Sequence, residues 1–326
     1  NVSWLGKKLG VRVSVAPTHA NFAHAVHTAA AALDNGVTVY LYCIDEAVRA
    51  RVGLTAYTIQ SLAVPDAQGG FARFEVSLGG RAASLEITLD PVDAPDCTMF
   101  LDDGSGSPQV VPAPAPCTYR GSVAGQIGSV VSGSIIHGQF TGIVILPGEQ
   151  GAWNILPLDQ AWPGAERSAH IVSRFEDSVA GNWRCGVTED GPAIPALATS
   201  GNVQTSGGHS DLPNLCELAV DADYPYFQLV GGTASTVAQD IATVVANASS
   251  YAMLSGCNLR FRVVRYVIRV SPAGNPGLYN TNDPTTLLQG EKQVWTNLGN
   301  SIPRDLTHLF TGRDLGGLTI GIAYIG

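Results

Sequence analysis

Read for hydrophobic and polar positions, the chain divides into three patterned regions. Val11–Val15 predicts a strand, and His19–Leu33 carries Phe22, Ala25, Val26, Ala29, Ala30 and Leu33 at helical spacing. Asn35-Gly36 stops that helix, and the β-branched and aromatic run Val37–Tyr42 predicts a buried strand, completing a βαβ unit within residues 1–64. After Gln68-Gly69-Gly70, Phe71–Leu78 and Arg81–Leu89 alternate around Gly79-Gly80, the pattern of a hairpin. Short strands then recur at Thr118–Val123, Ser129–Ile136, Gln139–Ile145, Ala152–Leu158 and Ser168–Arg174, so residues 65–190 read as an all-β sandwich or barrel.

A Gly/Ser/Pro-rich linker, 191–214, leads into the third region, 215–326. Leu215–Val220 predicts a strand and Thr233–Leu254 a helix ended by Gly256. Leu259–Val270 predicts a long strand. A second helix opens on Pro284, and Leu306–Phe310 and Leu318–Ile325 predict further strands. The alternation of strand and helix implies an open, mostly parallel α/β sheet. Gly316-Gly317 is too short a link for a parallel crossover, so Leu318–Ile325 is expected to run antiparallel beside Leu306–Phe310, as an edge strand. The fold class expected for the whole chain is therefore multidomain, α/β plus all-β.

Composition narrows the partners. With 326 residues and a net charge of -9 spread along the chain, there is no basic footprint for nucleic acid. No apolar run is as long as the ~18 residues of a membrane span, and no leader of charged and apolar segments follows Asn1. Low charge with many Gly, Ser and Thr suits a secreted protein. The 6 Cys are too few for a disulfide scaffold in a chain of this length.

Candidate chemistry centres on cysteine. Cys43 ends a predicted strand, where α/β ligands sit, but a buried structural thiol is the simpler reading. His24 and His27 share a helical face without a carboxylate or Cys to complete a ligand set. His308, inside a predicted strand, reads as a packed core residue. Cys216 and Cys257 enter two strands joined by a helical crossover, so they are expected close together, at bridging distance if the strands are neighbours. The most distinctive motif is Asn182-Trp183-Arg184-Cys185-Gly186-Val187-Thr188. A thiolate is a strong zinc ligand, and Gly186 lets the backbone pass close to a cleft.

That motif resembles the cysteine switch of propeptides of reprolysin-type (adamalysin/ADAM-like) zinc metalloendopeptidases of the metzincin clan, with Trp-Arg in place of Lys-Met. The series Cys117–Val123, Ser129–Ser132, Gly138–Gly142, Trp153–Leu158 and His170-Ile171-Val172 is similar to the same propeptide, strand by strand. Cys216–Asp223 and Arg304–Gly326 resemble the first half of the catalytic domain. The resemblance implies a β-sandwich-like propeptide followed by the upper half of a metzincin α/β domain. It implies that Cys185 is inhibitory, that Gly321, Ile322 and Ala323 hold substrate backbone, and that Glu217 and Asp305 ligate calcium. Zinc would belong to the full-length enzyme, for the H-E-x-x-H helix of the family does not occur before Gly326. The expected function is thus the N-terminal portion of a secreted zymogen acting on protein or peptide substrates, this stretch being inactive by itself. Residues 1–52 also resemble DsrE-like sulfur-relay domains. The alternatives are a non-catalytic binding module, or a sulfur-relay fusion through Cys43.

Overall fold

The computed structural model describes residues 48–49, 51–65, 70–178, 184–185, 214–254, 258–298, 303–316 and 319–323. The DsrE-like segment, Cys43, His24, His27, Cys257 and the 191–213 stretch therefore lie outside the described residues, apart from the few just before residue 52. The chain forms two compact units: residues 1–88 with 120–179, and residues 89–119 with 180–326.

The first unit is built on one antiparallel sheet of eight strands, in the order β1-β10-β9-β8-β7-β6-β3-β2. These are β1 (Thr58–Ser61), β2 (Phe71–Leu78), β3 (Arg81–Leu89), β6 (Thr118–Val123), β7 (Val130–Ile136), β8 (Gln139–Ile145), β9 (Trp153–Pro157) and β10 (Ala169–Arg174). Alternation sets the faces: Ala72, Phe74, Val76 and Leu78 of β2 are buried while the residues between them are exposed or half-buried. The β2–β3 turn needs two left-handed residues, and Gly79 and Gly80 supply φ of 59° and 81°. Phe140 is fully buried and its ring lies 5.2 Å from that of Phe74.

His170, on β10 next to the edge strand β1, has no exposure. Its Nδ1 is 2.8 Å from the Ser168 carbonyl, and its Nε2 accepts from the Phe140 amide at 3.2 Å. Both ring nitrogens are thus used by the neutral tautomer, Nδ1 as donor and Nε2 as acceptor. Burial pushes its pKa down, against weaker upward pulls from the Ser168 carbonyl and Asp159. A lowered folded pKa means the unfolded chain binds the proton first. The stabilising contribution is complete above the unfolded value of about 6.5 and is lost as pH falls from there towards the depressed folded value. The expected slope between pH 7 and 5 is up to about 1.4 kcal/mol per pH unit. Urea unfolding of parent and His170→Gln across that range checks this: the variant should lose the slope, and identical slopes would refute it.

The second unit carries a five-stranded sheet, in the order β14-β12-β13-β4-β5. Its strands are β4 (Asp93–Asp102), β5 (Gln109–Pro112), β12 (Asn214–Ala222), β13 (Leu259–Arg269) and β14 (Leu306–Phe310). β14, β12, β13 and β4 run parallel, and β5 turns back antiparallel on β4. Helix α1 (Tyr224–Leu229) starts at Asp223, whose side chain accepts from the Tyr226 amide. Helix α2 (Ala234–Leu254) is capped by the Thr233 hydroxyl, and α3 (Pro284–Leu298) by Asp283, 2.7 Å from the Thr286 amide. Val237, Ile241 and Val245 of α2 pack with Val220, Ala222 and Ile268. Trp295 of α3 packs with Ala219 and Val267, the alternate residues of the same strands. The two helices therefore cover opposite faces of the sheet.

This architecture corrects the expected fold class. Among the described residues 42% are strand and 25% helix, and the largest sheet is a single antiparallel one, in place of a β-sandwich followed by a mostly parallel metzincin domain. Two particulars account for the difference. Alternation reports which side chains face a core, but not how many sheets they share. Residues 89–119, read as part of the β-rich region, instead join the second unit and contribute β4 and β5 to its sheet.

The Leu318–Ile325 strand is corrected as well. Its described strand, β15 (Thr319–Gly321), is not paired with β14; it pairs in parallel with β11 (Arg184–Cys185) in a separate two-stranded sheet. A hairpin there requires the chain to fold straight back after β14. Instead Thr311 and Gly312 are tied to Asp223, and the Gly316 amide donates to the Asn282 carbonyl at 2.7 Å, so the chain is led away from the β14 edge.

Candidate functional site

Two places in the second unit bear on function. The first is the carboxyl end of the parallel strands. The chain leaves β12 towards the α2 face and leaves β13 towards the α3 face, which is the arrangement that opens a ligand crevice in α/β sheets. Here that place is filled by charge. Asp221 is fully buried and accepts from Arg269 through Nε at 2.9 Å and Nη2 at 2.6 Å, and from the Tyr279 hydroxyl at 2.9 Å. Arg269 also donates through Nη1 to Asp102 at 2.6 Å. Burial pushes the Asp221 carboxyl up, while Arg269 and Tyr279 hold it down. The guanidinium has opposite charges on two sides, so this cluster locks the ends of β4, β12 and β13 together rather than offering a free acid or base.

Asp223 extends the lock towards β15. It is fully buried, and its oxygens accept from the Tyr226 amide at 2.8 Å, the Thr311 hydroxyl at 2.6 Å and the Gly312 amide at 3.1 Å. Gly312 is needed there, because a Cβ would lie 2.4 Å from the Pro225 carbonyl carbon. Asp223 thus caps α1 and fixes the first residues of the segment that carries β15. Substituting it with Ala leaves two backbone amides and a hydroxyl without their acceptor. The expected cost is about 2 kcal/mol, readable as faster amide exchange at Gly312 and Tyr226; unchanged exchange would refute the role.

The second place is the β11–β15 pair. Arg184 is in register with Thr319 and Cys185 with Gly321. The backbone of the proposed switch cysteine therefore lies against the strand expected to hold substrate. Gly321 is within β15, and Ile322 and Ala323 follow it outside the strand. Gly321 has no close neighbour on its Cβ side within 4 Å, so close approach does not explain the glycine.

Glu217 and Asp305, expected at a calcium site, are adjacent. The Glu217 amide donates to an Asp305 carboxylate oxygen at 2.8 Å, and the Asp305 amide donates to the Glu217 carbonyl at 2.9 Å. That is a reciprocal tie between β12 and the start of β14. Calcium takes six to eight oxygens, and no third His, Cys, Asp or Glu joins this pair among the described residues. The described residues contain no group of three such side chains, and the zinc of the resemblance is expected to be held by other residues, past Gly326.

The remaining sequence candidates divide clearly. Cys216 is an unbridged, buried thiol, and burial raises its pKa. Cys97 and Cys117 are also unbridged, and burial first, then the charge of Asp93, pushes each up to about 12. None of the three is an activated nucleophile. His308, expected in the core, is exposed and stands edge-on to Phe310 with ring centroids 4.7 Å apart. Sequence reasoning gave no role to Asp223. Its place directly before Tyr224-Pro225 at the start of a helix was the available signal, since Asp is a favoured cap and Pro a first-turn residue. No described helix is long and apolar enough to cross a membrane. No protein-family model matches the chain, and no curated protein matches it.

Proposed function

We propose that the chain is the N-terminal portion of a secreted zinc metalloendopeptidase zymogen, with Cys185 in the segment that keeps it latent. One observation carries this reading. The one resemblance implies both the inhibitory role of Cys185 and the cleft role of the Gly321 strand, and these two stretches, far apart in sequence, come together in one strand pair. An extended segment lying along β15 takes up the backbone groups with which that strand would bind a peptide. The motif Asn182–Thr188 and the β11–β15 register support the reading; the fold class expected with it is not the one observed, and β15, expected as an antiparallel edge strand beside β14, pairs in parallel with β11 instead.

In this reading the chain's own residues have defined tasks. Asp223 fixes the path into β15, β15 presents Gly321, and the Arg184-Cys185 backbone covers it. Glu217 and Asp305 tie β12 to the start of β14. The zinc ligands are not among the described residues, and the residues 1–326 by themselves are expected to hydrolyse no peptide and to hold no stoichiometric zinc. The experiment is metal analysis of this chain beside the protein continued through the coding sequence past Gly326. The longer protein should carry one zinc per chain and the shorter none. Equal zinc in both, or none in the longer protein, would refute the reading.

A further inference from the structure

Residues 89–119 belong in sequence to the β-rich region, yet they pack with residues 180–326 as one unit. β4 lies on the outer edge of β13 by parallel strand addition. The backbone is tied at both ends: the Val263 amide donates to the Val92 carbonyl at 2.8 Å, and the Val270 amide to the Asp102 carbonyl at 3.0 Å. We propose that residues 89–119 are a clasp that keeps the amino-terminal region bound to the β13 edge after the chain is cut within 191–213. The inference rests on the zymogen reading for the meaning of that cut.

Side chains along β13 make the attachment specific. Arg260 pairs with Asp90, the Tyr266 hydroxyl donates to Asp93 at 2.6 Å, and Arg269 donates to Asp102 at 2.6 Å. Three acidic side chains of the clasp thus meet three donors spaced along one strand. Arg269 is already oriented by its two bonds to Asp221, so little side-chain freedom remains to be lost when Asp102 docks. Between these ties the Arg265 guanidinium lies 4.3 Å from the Phe100 ring centroid. At the far end, the hairpin loop abuts the turn after β13 through two glycines. A Cβ at Gly274 would lie 2.1 Å from the Asp102 carbonyl oxygen, and one at Gly104 would lie 2.4 Å from the Ala273 carbonyl carbon. A strand held only by backbone pairing would tolerate shifts in register; these charge pairs and close approaches fix one.

The test uses the full chain with a recognition site for a sequence-specific protease inserted within 191–213. After cutting, the two fragments should co-elute in size-exclusion chromatography. The double variant Asp90→Asn, Tyr266→Phe, which removes one ion pair and one hydroxyl, should weaken retention at least about tenfold. Gly274→Ala serves as a second probe that touches no charge, and it should weaken retention in the same direction; melting of each uncut variant verifies that it is folded. Separation of the parent fragments on cutting, or retention of both variants as tightly as the parent, would overturn the clasp. Retention is read without any catalysis, so a failure of the peptidase reading leaves its own, separate mark in the zinc measurement.

Discussion

Replacing Arg269 with Met is expected to destabilise the second unit by about 3–5 kcal/mol. Arg269 is 5% exposed and Asp221 is 0% exposed, so the variant leaves a buried carboxylate with only the Tyr279 hydroxyl as donor. It also strips Asp102 of its charged partner at the end of β4, leaving the Gly104 amide as donor. Most of the loss comes from the uncompensated charge, not from the value of the pair itself. The double variant Arg269→Met, Asp221→Asn should therefore recover a large part of it. Urea unfolding followed by hydrogen exchange in β12 and β13 measures both. A loss below about 1 kcal/mol in the single variant, or no recovery in the double, would show that water reaches this cluster and that the lock is not closed.

In the first unit the largest effect is expected at Phe140. Phe140→Ala should cost about 3–5 kcal/mol. The side chain is fully buried against Phe74, and its ring also lies over the paired glycines of β7 and β8. A Cβ at Gly133 would come within 2.9 Å of the Phe140 ring, and one at Gly142 within 2.6 Å, so the ring takes the space that side chains at those positions would need. Removing the ring opens a void that Gly133 and Gly142 cannot fill. The neighbouring His170 receives the Phe140 amide, so the two effects meet at one residue. Hydrogen exchange in β7–β9 should accelerate, with protection in β12–β13 as the comparison. A loss of under 1 kcal/mol would mean that this sheet repacks freely around the glycines.

Local pattern was legible where a single element decides it. The Phe71–Leu89 hairpin follows from alternation around Gly79-Gly80, and Pro284 marks the start of α3 by first-turn chemistry. Pairing between distant elements was not legible. Nothing in Asp93–Asp102 distinguishes a strand for the antiparallel sheet from one that adds to β13, because the choice rests on Asp90, Asp93 and Asp102 meeting Arg260, Tyr266 and Arg269 far along the chain. The expected Leu306–Ile325 hairpin failed for a related reason. A short glycine link was taken to settle the partner, while buried Asp223, 88 positions before Thr311 in sequence, governs the path. The roles of Cys185, of the Gly321 strand and of Glu217 with Asp305 came from resemblance, and no local pattern of theirs pointed to the pairing of β11 with β15. The lock of Asp221, Arg269 and Tyr279 could not, since each of its members is unremarked in its own local stretch.

The central claim is that the Cys185 segment holds a peptidase silent by lying on β15. The most direct measurement is hydrolysis of a quenched peptide mixture by the protein continued past Gly326, comparing parent with Cys185→Ser and leaving the amino-terminal region uncut in both. The account predicts a silent parent and hydrolysis by the variant. Equal rates in the two, whether both silent with zinc bound or both active, would contradict it.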